Sequence, residues 1–201
     1  MAEGLDQEHA LWLYDGPSSW NAFRRDTPDL TPLLDGVQLP PPGAATSLDD
    51  PYDMSLQDVD LHDAQLRGAR IEDVNLARST FANADLTGAH LTGCSLRGSS
   101  FQEARLIDAE FARCDLNGAD LSFATFGGTR FIGVDLARSA GHASTRHVYA
   151  SIVDTRTFEM TSATLVQEPT RLAVVSDFLA KLGLPQDLLD LLEVRVMEAG
   201  L

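Results

Sequence analysis

Two cysteines, five histidines and 30 acidic residues are the groups that could do chemistry in this 201-residue chain. Cys94 and Cys114 stand twenty residues apart. A structural zinc takes four Cys or His ligands. None of His9, His62, His90, His142 and His147 is spaced to complete such a set. The cysteines therefore read as small buried hydrophobes. The sequence contains no G-x-S-x-G elbow, no phosphate-cradling glycine loop and no H-E-x-x-H pair. The chain is expected to be no enzyme, with no catalytic residue, cofactor or metal.

The residues must be positioned by something, and the sequence says what. Every fifth residue from Leu56 to Leu136 is large and apolar, 17 positions without exception. Two residues before each stands a small or modest side chain, as in Ala84, Ala89 and Ala119. Glycine recurs two residues after, as at Gly68, Gly88 and Gly118. A period of five fits neither a helix nor a strand. It fits a chain that turns a corner every five residues, with four sides closing a square coil of twenty. Coils then stack at about 4.8 Å.

Residues twenty apart lie above one another. Leu56, Leu76, Leu96, Leu116 and Leu136 form one inward ladder. Phe81 and Phe101 belong to a second, and Phe111 and Phe131 to a third. Such an interior is dry and full. Asp60 and Asp120 fall on one face about 14 Å apart, too far for paired-carboxylate catalysis at roughly 5–10 Å. His90 points outward between Arg70 and Glu110 as a solvated residue.

Ala-Asp-Leu-Thr-Gly at 84–88, Ala-His-Leu-Thr-Gly at 89–93 and Ala-Asp-Leu-Ser-Phe at 119–123 resemble the A(D/N)LXX consensus of the pentapeptide-repeat family. The resemblance covers residues 54–138. It implies an all-β solenoid, a right-handed quadrilateral β-helix. It also implies the activity of the antibiotic-resistance members. Those imitate duplex DNA and protect a type II topoisomerase, DNA gyrase or topoisomerase IV. The alternative is a structural or scaffolding module with another protein partner.

The charge bears on that choice. Thirty acids against 15 Lys+Arg give a net charge of −15, which argues against direct binding to nucleic acid or to an anionic membrane. Residues 54–138 hold 12 acids and 8 arginines, so most of the excess lies outside the regular coil. Asp115 and Asp135 share an outward column and are the candidate acidic contact. Ile107, Phe123 and Ile132 are outward apolar candidates for partner binding. No apolar run reaches the roughly 20 residues of a membrane span. The N-terminus is acidic where a secretory signal is basic. The expected location is the cytoplasm.

Three segments follow. Residues 1–53 form an N-terminal cap and loop. Ser18–Arg25 reads as a short capped helix, Leu34 and Leu39 keep the five-residue spacing, and 40–53 is an excursion that could cover the outward apolar residues. Residues 54–168 form the β-helix, regular to 138 and irregular from 139. Val148, Val153 and Phe158 suggest a last coil in shifted register, and Ala163-Thr164-Leu165 a final repeat. Residues 169–201 form two helices that close the upper end. Leu188, Leu191 and Leu192 are candidates for a homodimer contact.

Overall fold

The computed structural model describes residues 3–41, 43 and 54–199. Helices α1 (Glu3–Tyr14) and α2 (Pro17–Asp26) come first. Strands β1 (Gln38–Leu39), β2 (Met54–Ser55), β3 (Arg70–Glu72), β4 (Val74–Asn75), β5 (His90–Thr92), β6 (Arg105–Ile107), β7 (Glu110–Ala112), β8 (Thr125–Gly127), β9 (Arg130–Ile132), β10 (Arg146–His147) and β11 (Ile152–Val153) follow. Helices α3 (Thr155–Gln167), α4 (Leu172–Leu182) and α5 (Gln186–Ala199) end the chain.

All strand pairing is parallel and in register, Arg70 on His90 on Glu110 on Arg130. This is a β-solenoid of about five turns. The five-residue ladders fill its interior: Leu56, Leu76, Leu96, Leu116 and Leu136 are all buried, as are Phe81, Phe101, Phe111 and Phe131. Phe81 and Phe101 stack at 4.8 Å with planes 2° apart, the coil spacing itself. The corners take positive φ. Glycine fills many, and Asp or Asn fills others, such as Asp63 (φ 58) and Asn83 (φ 58). Those two residue types tolerate the left-handed region best after glycine.

The coil starts before residue 54. Leu33 bridges Gln65, and Gln38 pairs with Arg70, an interval of 32 residues instead of 20. The excursion therefore adds twelve residues between two sides of the first coil. The expectation that it covers Ile107, Phe123 and Ile132 lies largely outside the described residues.

A stacked coil leaves unpaired backbone groups at each end, an edge that must be covered. Helix side chains cover both. Below, Asn21 of α2 accepts from the Asp60 amide and donates to the Asp58 carbonyl. The fully buried Trp20 donates its indole N–H to the Asp60 carbonyl. The expected serine cap of α2 does not form: the helix opens at Pro17, and Ser19 donates to Asp15. Helix α1 was not expected. It packs on α2, with Trp12 stacked on Phe23 at 5.8 Å.

Above, the expected final repeat at Ala163-Thr164-Leu165 is instead part of α3. Asp154 caps this helix by accepting from the Thr157 amide. The stripe Asp154, Thr157, Thr161 and Thr164 then lies along the last coil. Asp154 accepts from Gly133 N, Thr157 from Val134 N, and Thr161 from Leu136 N. These hydroxyls and the carboxylate replace the missing next strand. The last coil is also displaced. His147 pairs with Phe126, 21 residues apart, and Val153 with Phe131, 22 apart. One extra residue near Gly141 puts His147 where Val148 was expected, and Val148 is 63% exposed. Gly183, in the left-handed region (φ 102), ends α4 as expected.

Candidate functional site

The coil presents four outward faces. The first carries residues 54–58 and their equivalents at 74–78, 94–98, 114–118 and 134–138. The second begins with 59–63, the third with 64–68 and the fourth with 69–73.

Asp115 and Asp135 lie on the first face, and both are already engaged. Asp115 is bridged by Arg97 at 2.9 Å. Asp135 accepts from Thr164 Oγ1 at 2.6 Å and from the Ala137 amide. Arg78 and Arg138 complete a first face on which three acids meet three arginines. The third and fourth faces are balanced in the same way over residues 64–133.

The second face differs. Across 59–63, 79–83, 99–103 and 119–123 it carries Asp60, Asp63, Glu103 and Asp120 and no Lys or Arg. The whole net charge of −4 between residues 54 and 138 therefore sits on this one side. A cation does lie below it, Arg24 of α2. It is 3% exposed and occupied by the Leu30 carbonyl and by His62. Partial burial pushes the Asp120 carboxyl up, but hydrogen bonds from Ser122 and Gln102 outweigh this and leave it below the ordinary value. Phe123 ends the face at its upper corner, 49% exposed with φ 60. The sequence held this signal, but only when charges are summed over a face rather than down one column.

The other candidates separate. Ile107 is 7% exposed and Ile132 half-buried, so of the three apolar candidates Phe123 alone stands open. Leu192 is fully buried within the chain, Leu188 half-buried and Leu191 exposed. Leu192 therefore belongs to the packing of the upper cap. Cys94 and Cys114 are buried thiols that donate to the Ile71 and Leu91 carbonyls. The neighbouring Cys94 and burial hold the Cys114 thiol well above its ordinary value. Among the described residues no three His, Cys, Asp or Glu side chains converge as metal ligands. No described helix is long and apolar enough to cross a membrane.

A family model described as a pentapeptide repeat region matches residues 72–141. Solved structures similar to this chain include two pentapeptide repeat proteins and a resistance protein. One from the Arabidopsis thaliana thylakoid lumen is 23% identical over 67% of this chain and 74% of its own, with a TM-score of 0.44. Rfr23 from the cyanobacterium Cyanothece is 21% identical over 67% of this chain and 97% of its own, with a TM-score of 0.39. QnrB1, a plasmid-mediated fluoroquinolone resistance protein, is 24% identical over 44% of this chain and 45% of its own, with a TM-score of 0.36. No curated protein matches the sequence.

Proposed function

We propose that this protein acts without catalysis, by presenting its second face to a basic groove on a protein partner in the cytoplasm. The observation that carries the proposal is the cation-free line of Asp60, Asp63, Glu103 and Asp120 on an otherwise charge-balanced coil. Four charges over three coil spacings of about 4.8 Å give roughly one charge per 4 Å of rod. One DNA strand carries a phosphate every ~3.4 Å, and a duplex one charge per ~1.7 Å. The face thus matches one phosphate line in density and half of a duplex. The partner class that reads such a line is a DNA-binding enzyme, and the family resemblance directs the choice to DNA gyrase or topoisomerase IV.

The test is a pull-down with purified subunits of both enzymes across a salt series. Binding should fall steeply between about 50 and 200 mM salt, as duplex binding does. The triple variant Asp63→Asn, Glu103→Gln, Asp120→Asn should lose it, while Asp115→Asn should not. Absence of binding to either enzyme at low salt refutes the topoisomerase assignment. Phe123 supports a second reading, a scaffold held by apolar contact. That reading requires binding that Phe123→Ala abolishes and salt barely changes, because apolar burial is not screened.

A further inference from the structure

The upper end of the coil holds a cleft of about 450 Å³ where the first and fourth faces meet α3. Its wall carries Arg97, Arg113, Arg138 and Arg156, four of the chain's 15 basic residues, in a protein of net charge −15. We propose that this cleft binds a small phosphate monoester between Arg113 and Arg156.

The carboxylates around the cleft are already committed. Asp115 is bridged by Arg97 at 2.9 Å, and Glu168 takes Arg138 at 2.9 Å. Asp135 accepts from Thr164 and from the Ala137 amide. Asp154 accepts from the Thr157 and Gly133 amides at 2.7 and 3.1 Å. Arg113 and Arg156 are left with no ion pair and no side-chain hydrogen bond among the described residues. Both are exposed, and their stems meet over Gly133. The position that a Gly133 side chain would fill lies 3.2 Å from the Arg156 Cδ and 3.9 Å from the Arg113 Cγ. Guanidinium groups that share a cleft repel each other, and an anion between them removes that repulsion. Their planar forks match phosphate oxygens in bidentate fashion.

Size and charge narrow the ligand. The volume falls in the lower part of the usual range for small-molecule sites, roughly 300–1,000 Å³. A polyanion such as duplex nucleic acid or an anionic bilayer would meet the repulsion of the whole acidic chain. A single small dianion meets the local field of the cleft, where four arginines outnumber the lining carboxylates Asp115 and Asp135.

Both arginines are exposed and make no ion pair or side-chain hydrogen bond among the described residues, and Asp154, which feels the Arg156 charge, keeps its Thr157 and Gly133 amides, so the alanine variants should fold. The experiment titrates the full-length protein with inorganic phosphate in phosphate-free buffer, by calorimetry and ³¹P NMR. AMP against adenosine, and phosphoserine against serine, then tell which ester the cleft prefers. The expected result is one phosphate per chain, with affinity at least tenfold weaker in Arg113→Ala/Arg156→Ala and unchanged in Arg130→Ala, whose side chain already pairs with Glu110. No binding up to about 10 mM, below even weak specific association, overturns the proposal. So does equal binding by the double variant.

Discussion

Phe101 and Gln102 are sequence neighbours with opposite fates. Phe101 is fully buried, stacked on Phe81 and set edge-on to Phe111 at 5.8 Å; Gln102 is exposed. Phe101→Ala should cost roughly 3–5 kcal/mol, since the coil above and below cannot collapse into the gap. Gln102→Ala should cost under about 0.5 kcal/mol. Chemical unfolding of the two variants reads the difference, and equal shifts would contradict the register. At this scale the ladders were legible because large-apolar identity alone fixes an inward position. The acidic contact was not legible from one column. Asp115 and Asp135 stand above Ser95 in a clean line, but Arg97 and the α3 residue Thr164 claim them from outside that line.

At the scale of elements, the helices act as edge covers, and this is what the sequence concealed. The region 155–167 carries Thr-rich spacing that reads equally well as weak repeat or helix. The deciding fact is that a last coil needs acceptors for its amides, and a threonine stripe supplies them. Thr157→Val keeps the shape of the side chain but leaves the Val134 amide without a partner, while the Phe131 carbonyl keeps only the Asp154 amide. The loss should be about 1–3 kcal/mol, seen as a lower melting temperature that Thr170→Val, at an exposed position, does not reproduce.

The same end carries a pH dependence. His142 is 2% exposed, stacks on Phe178 of α4 at 4.5 Å and contacts Ser139 Oγ at 2.8 Å. Burial first, and the Arg171 charge second, push its pKa down to about 4. The unfolded chain therefore binds the extra proton at higher pH than the folded one. The stability this group contributes is complete above its unfolded value near 6.5 and is lost as pH falls towards about 4. Melting temperature should drop across that window, and less so in His142→Gln. Identical pH profiles for the two proteins would remove the effect from His142.

For the whole molecule, the question is how far the acidic face extends. The repeat made the rod legible from residue types alone, while the length of its charged line depends on what the end caps leave exposed. One regular coil stack of about four turns gives a line of roughly 20 Å at strand spacing, short for a DNA imitation. A homodimer joined at the C-terminal end would set two such lines end to end. We propose that contact on α5, where Leu191, Val194 and Met197 are exposed at intervals of three residues. Leu192 cannot take part, since it is buried against α5's own neighbours. Three side chains fall far below the ~800 Å² per partner of a standard stable interface, so the dimer they form is weak and concentration-dependent. Sedimentation equilibrium should find the chain dissociating in the micromolar range. Leu191→Glu should leave a monomer at every concentration with little change in melting temperature, since that side chain lies on the exposed side of α5 and outside the buried core. If the dimer serves the acidic face, Leu191→Glu also weakens topoisomerase binding without touching a carboxylate. A native protein that is monomeric at the highest soluble concentration ends the dimer proposal, and the second face must then act as a single short line.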